Sequence, residues 1–371
     1  MSAKTTLITG FPHNLLAKHV VRRLLKDLEN LQLRCVVQKP HLEFAASLIA
    51  QWSCENRVQL LEGETSAMDF GLSGSEYNEL IREVEVLHHC DSTENNELDP
   101  KTIESINIGG VREALEFCES AKNLAHLIHW STTLVSGTRK GYVSEDELET
   151  PPGFHDRIEE SRFHAEKILR ESMDRYPITI LKPSRLMGDS TTGEIDCFSG
   201  PYLLVLLMLN APPDLRLPMP GRGEIRMNMV PIDWVVHAGM TIARNPRSVG
   251  RIFHLVDPEP LSTREVFELI AREIGRPLPR SFVPTDLATT ILKAPGLARL
   301  TRAPRVFLEQ LSSEVVYGNT NTMELLGDTG PHCPSFSSYV GAMVEYVRFK
   351  RSAPQETQHA HESFQALDPL S

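Results

Sequence analysis

The sequence has no Cys-x-x-Cys pair and no cysteine or histidine at metal-ligand spacing. Its six cysteines (Cys35, Cys54, Cys90, Cys118, Cys197 and Cys333) are scattered. That argues against a zinc site or a disulfide framework and fits a reducing compartment. Long hydrophobic runs are missing too. The most apolar stretch, residues 202–209, is far short of the roughly 20 residues that a membrane span needs. It reads as a buried helix, with a membrane-contacting surface as the alternative. The opening residues, MSAKTTLITG, enter an apolar strand pattern without a signal-peptide core, so a cytoplasmic protein is expected. Positive charge is also scarce. Thirty-eight Lys and Arg against 49 Asp and Glu leave a net charge of −11, which argues against a nucleic-acid surface. No internal repeat is present.

What the chain does have is ordinary globular composition and a regular alternation. Of 371 residues, 41% are hydrophobic and 23% charged, and that length favours two lobes over one core. Strand patterns fall at 5–9, 33–38, 58–61, 84–89, 127–131 and 177–182. Helical patterns fall between them, at about 14–28, 44–52, 75–82, 100–121 and 158–176. Such alternation predicts right-handed βαβ units and a doubly wound parallel sheet of the Rossmann type. After Pro183 the pattern turns irregular, with an apolar helix and a loop at 218–221. Strands then follow at 226–231 and 251–256, and a capped helix at 262–274. The expected division is a nucleotide-binding domain over 1–188 plus 226–258 and a smaller interleaved substrate lobe over 189–225 plus 259–350. A disordered tail is expected from about Ser352.

The first strand–turn–helix, TTLITGFPHNLLAKHVVRRLL, is the setting of a dinucleotide fingerprint. There glycines let backbone N–H groups approach a pyrophosphate at the helix N-terminus. Here Gly10 is followed by Phe11, and with one inserted residue Asn14 and Ala17 take the second and third glycine positions. Asn tolerates a left-handed backbone, and Ala allows close helix packing. A plain βα turn is the alternative. At the end of the second strand stand Gln38 and Lys39, without a carboxylate. That favours NADP over NAD, unless Lys39 is simply an exposed loop lysine.

Three segments carry a resemblance: HWSTTLVSG at 129–137, ILKPSRLMGDSTTGEIDCFSGPY at 180–202 and NMVPIDWVVHA at 228–238. They resemble the extended short-chain dehydrogenase/reductases, and within them the thioester-reductase and fatty acyl-CoA reductase branch, over roughly residues 5–345. The resemblance implies that Gly10, Phe11, Asn14 and Ala17 form the pyrophosphate turn. It places Glu64 near the adenine, His89 and Cys90 beside the cofactor, and Pro183 and Ser184 beside the nicotinamide. Asn107 matches the helix asparagine that supports a proton-relay water, and Thr132, with Ser131, the hydroxyl that polarises the substrate carbonyl. No metal is implied. A homodimer through the helices at 100–121 and 158–176 is implied by the resemblance alone.

The match fails at the catalytic pair. The family has a Tyr and a Lys four residues apart on one helix face, where the lysine lowers the tyrosine pKa so that the phenol can donate a proton. In FHDRIEESRFHAEKIL, residues 154–169, Ile158 stands for the tyrosine and Arg162 for the lysine. Isoleucine has no exchangeable proton, and Arg differs from Lys in geometry. His155, His164, Tyr142 and Tyr202 are the substitutes to consider. Two readings stand. One is an NADPH-dependent reductase of an acyl thioester or related carbonyl. The other is a catalytically impaired relative that binds a nucleotide or acyl ligand, or serves as a partner protein.

Overall fold

Seven parallel strands organise the molecule, which is described by a computed structural model over residues 4–196, 198, 200–210, 219–220, 223–278, 282–283 and 314–352. The first half runs β1 (Thr5–Thr9), α1 (Leu15–Asp27), β2 (Gln32–Val37), α2 (Leu42–Gln51), β3 (Val58–Glu62), α3 (Gly74–Glu83) and β4 (Val84–His89). It continues through α4 (Pro100–Glu104), α5 (Gly110–Ser120), β5 (His126–Trp130), β6 (Gly141–Val143), α6 (Arg157–Ser172) and β7 (Ile178–Pro183). Then come β8 (Arg185–Met187), α7 (Pro201–Asn210), β9 (Met219–Pro220), β10 (Met229–Pro231), α8 (Ile232–Ala243) and β11 (Arg251–Leu255). The described chain closes with α9 (Thr263–Ile274), β12 (Phe282–Val283), β13 (Val315–Tyr317), α10 (Thr320–Leu326) and α11 (Phe336–Ser352).

The large sheet has the order β11-β7-β5-β4-β1-β2-β3, and every pairing in it is parallel. β1, β5 and β7 are buried along their whole length, as strands covered on both faces must be. One apolar cluster fills the face under α1 and α8; another fills the face under α3, α5 and α6. This is the doubly wound α/β architecture that the alternation predicted.

Local chemistry accounts for the helix ends. Asn14 caps α1, accepting from Leu16 N at 2.9 Å and Ala17 N at 3.3 Å, a stabilisation of about 1 kcal/mol for such a cap. Ser262 and Glu265 form a capping box on α9, which stops at Gly275 in the left-handed region, φ 77°. The helix expected over 100–121 is not uniform. Residues Ser105–Gly109 form a π-helical turn between α4 and α5, an insertion that often marks functional sites. A Cβ on Gly110 would lie 3.3 Å from His89 Cε1, so the backbone here passes close over the sheet.

A third apolar cluster stands apart from the sheet. It is built by α7, α9 and α11, with Tyr202, Val205, Phe267, Ile270, Phe336 and Met343 among its buried members. The apolar stretch at 202–209 is therefore a buried helix, and no described helix is long and apolar enough to cross a membrane. The loop expected at 218–221 contains β9, which pairs with β12. The expected tail (353–371), Cys197 and residues 284–313 of the expected lobe lie outside the described residues.

Candidate active site

Order β4-β1-β2 makes the edge between β1 and β4 the point where crossovers leave in opposite directions, and ligands of such sheets bind in the crevice outside the strand ends there. Several sequence-assigned residues lie on the loops that follow these strands. Gly10 takes φ +86°, and a Cβ on it would lie 2.9 Å from Asp91 N; the glycine permits close approach of the loop after β4. Asn14 is extended, φ −93°, so the left-handed conformation expected for it is not used. Its value is as a cap, because a short side chain that accepts from α1 also donates through Nδ2 to Cys90 O at 3.1 Å. Phe11 is fully buried with its ring 6.1 Å from that of Trp52, so only its backbone can serve the turn. Ala17 is on the buried face of α1.

At the ribose end, Gln38 Nε2 donates to Glu64 at 2.6 Å. Glu64 is pushed up by burial, and the charge of Asp91 adds to the effect. Lys39 is exposed and 3.9 Å from Glu62. His89 and Cys90 are buried. His89 shares a hydrogen with Thr9 Oγ1 at 2.9 Å and stacks on His129, while Cys90 joins the apolar cluster beneath α1. The residue of this loop that enters the crevice is Asp91, which sequence reasoning passed over. It accepts from His13 at 2.8 Å and from the Thr65 hydroxyl. An acidic residue just beyond a central strand was the available signal.

The expected catalytic group is only partly assembled. Thr132 caps a 3-10 turn at the end of β5, accepting from Leu134 N at 3.2 Å and facing Pro183 O at 3.5 Å. Ser131 points elsewhere, donating to Glu166 at 2.8 Å. Asn107 accepts from Thr93 N at 2.9 Å and donates to Ser161 Oγ at 2.8 Å. It ties the loop after β4 to α6. Ile158 is buried but belongs to none of the three apolar clusters. Arg162, one turn on, donates to Ser92 Oγ at 2.7 Å and to Glu94 at 3.4 Å.

The substitutes weighed from sequence do not fill the gap. His155 binds Glu159 at 2.8 Å, and His164 is exposed. Tyr142 is exposed, and Tyr202, in the cluster of α7, α9 and α11, donates to Gly193 O. A different phenol is present. Tyr317, on β13, lies 2.9 Å from Ser136 Oγ at the far end of the Thr132 turn. Burial pushes its hydroxyl up despite the hydrogen bonds with Ser136 and Thr133. It lines a small polar cleft with Ser136, Lys182 and His254. Lys182 is buried and donates to Glu166 at 2.9 Å. Burial favours the neutral Glu166 acid, but Lys182 and Arg170 outweigh it and hold the carboxyl down at about 2. Sequence gave no pointer to Tyr317, because the pairing of β13 with β6 that seats it is long-range.

Residues 8–239 match the male sterility protein family, an NAD-binding domain family. The chain belongs to that family. Its family is of the extended short-chain-reductase-like, NAD(P)-binding class that the three motif segments implied. Glycine betaine reductase of Emericella nidulans is 25% identical over 222 residues, 58% of this chain and 17% of that protein. The fatty acyl-CoA reductase wat of Drosophila melanogaster is 24% identical over 240 residues, 56% of this chain and 46% of that one. The chain thus spans less than half of either relative. Its fold is shared with the terminal R domain from the myxalamid biosynthetic pathway, with a TM-score of 0.79, 23% identity and coverage of 94% and 92% of the two chains.

Both ends of the crevice fit the cofactor of this family. Ser184 Oγ, buried beyond β7, has no hydrogen-bond partner among the described residues, as a hydroxyl reserved for a nicotinamide amide would be. Gln38 and Glu64 offer a donor and an acceptor for a ribose. The described residues contain no cluster of His, Cys, Asp or Glu able to hold a metal.

Proposed function

We propose that this protein reduces the carbonyl of an acyl thioester or a related aldehyde with NADPH. The observation that carries the reading is the Thr132–Ser136 turn. It sets one hydroxyl at the carboxyl edge between β5 and β7, and a buried phenol, Tyr317, at its other end. The reduced nicotinamide supplies hydride when bound. Thr132 orients and polarises the carbonyl, and Tyr317 holds the proton for the nascent alkoxide. A phenol raised by burial stays protonated at neutral pH and gives up its proton reluctantly, so catalysis is slow. Ser184 and Pro183 face the nicotinamide, Gln38 and Glu64 the ribose, and Lys39 a 2′-phosphate. Lys39→Ala then weakens NADPH binding and leaves NADH binding unchanged.

A second reading has its own observation. Ile158 has replaced the proton donor and Arg162 is spent on Ser92 and Glu94, which supports a silent relative that binds nucleotide or acyl ligand. The deciding experiment offers long-chain acyl-CoA to protein saturated with NADPH and follows the reduced nicotinamide by absorbance. Consumption of NADPH supports the reductase; binding without consumption supports the silent relative.

We further assign α7, α9 and α11 to a substrate lobe, and count β13 and α10 with the sheet domain because Leu326 packs in its cluster. A homodimer through α4, α5 and α6 is read by the light-scattering mass in solution. A cytoplasmic, reducing setting is supported by Cys35, Cys54, Cys90, Cys118 and Cys333, all free thiols.

A further inference from the structure

The crevice between β1 and β4 is laced by the protein's own side chains. Asp91 is buried there, one oxygen accepting from His13 Nε2 at 2.8 Å and the other from the Thr65 hydroxyl. The carboxylate therefore ties the turn before α1 to the loop after β3. Asn14 adds a second tie to the loop after β4 through Cys90 O, while its own oxygen takes the Leu16 and Ala17 N–H groups. Those two N–H groups belong to the positive end of α1, the place where a phosphate would otherwise be held. Gly10 leaves no room between the turn and Asp91: the Cβ it lacks would stand 2.9 Å from Asp91 N.

The charges facing this point come from several elements. Asp91 lies beyond β4 and Glu64 beyond β3, and the Asp91 charge is one of the causes that push the Glu64 carboxyl up, after burial. His13 faces them from the turn. A pyrophosphate laid across the α1 N-terminus would meet the Asp91 carboxylate at short range, in a site too buried for water to screen the repulsion well.

We propose that Asp91 is a specificity-determining residue of this nucleotide site, its carboxylate standing against the pyrophosphate so that the site discriminates against phosphate-bearing ligands relative to a phosphate-free nucleoside. This rests on the crevice being the nucleotide site, as argued above, but not on turnover.

The test is equilibrium binding of NADPH and of adenosine to the full chain and to Asp91→Asn. Asparagine preserves size and an acceptor for Thr65 while removing the charge. NADPH is followed by its own fluorescence and adenosine by calorimetry. Asp91→Asn is expected to tighten NADPH at least tenfold and to leave adenosine within twofold. Because the carboxylate is buried, the gain in NADPH affinity changes little with salt. A second variant, His13→Gln, keeps a hydrogen-bond donor but removes the compensating base, and weakens NADPH further. Equal NADPH affinity in parent and Asp91→Asn overturns the proposal, as does a parallel gain for adenosine, which would mean altered shape. NADPH consumption by the parent with no gain in Asp91→Asn sinks this inference and spares the reductase. Absence of binding by either probe to any variant sinks both.

Discussion

The guanidinium of Arg162 lies 2.7 Å from the Ser92 hydroxyl. This cation, one turn of α6 beyond Ile158, thus braces the loop after β4. Restoring the family pair tests what surrounds it. Ile158→Tyr with Arg162→Lys is expected to raise NADPH-dependent carbonyl reduction by about 10²–10⁴-fold, the usual worth of a positioned acid. Steady-state rates with acyl-CoA read the gain. An unchanged rate would show that the pair's neighbours, beginning with the Asn107–Ser161 bond, no longer support it.

Tyr317→Phe removes one hydroxyl and keeps the ring beside His254, 5.7 Å away. Loss of a hydrogen bond of this kind costs about 1 kcal/mol of stability, so the fold survives. If the phenol holds the transferred proton, kcat falls roughly 10²-fold with little change in KM. A kcat equal to the parent's would remove Tyr317 from the chemistry.

The buried pair of Lys182 and Glu166 is a structural element that can be broken cleanly. Lys182→Met leaves Glu166 with Arg170 and the Ser131 hydroxyl, and an incompletely compensated buried carboxylate costs about 3–5 kcal/mol. Urea titration is expected to show that loss. Adding Glu166→Gln should recover part of it; an additive, larger loss would contradict the pairing argument.

Acid stability follows from four buried histidines. Burial, the largest cause in each, lowers His88 and His254 to about 3 and His89 and His126 to about 4, from 6.5. Their folded values lie below the unfolded one, so the unfolded chain takes up protons first. Stability is therefore full above pH 6.5 and falls as pH drops towards 4, by up to about 1.4 kcal/mol per unit for each group. Glu166, held at about 2, adds a further loss below pH 4.5. Melting temperatures measured from pH 7.5 to 4.5 should drop steeply, and less so in His88→Asn. A flat profile would show that these rings are protonated in the folded protein.

Much of the sheet could be read from the chain. The 5–9, 84–89 and 251–256 strand patterns match β1, β4 and β11 to within a residue, because β-branched and large apolar residues recur in each short run. The start of α9 was equally legible, with Ser262 or Thr263 as cap and Glu265 in its first turn; the structure selects Ser262. The π turn at Ser105–Gly109 was not. It reflects the close passage of Gly110 over His89, a contact between elements rather than a local preference.

The amino-acid order alone determined that position 158 carries no acid, that Gly10 opens the first βα turn, and that a parallel α/β sheet forms. These depend on residue identity and short-range periodicity. Three-dimensional packing decided that Asp91 occupies the β1–β4 crevice, that Asn14 serves as a cap, and that Tyr317 reaches the Thr132 turn. The Asp91, Asn14–Cys90 and Tyr317 contacts join residues 76 to 181 positions apart, and side chains that far apart meet only after the crossovers are in place; the cap made by Asn14 is local.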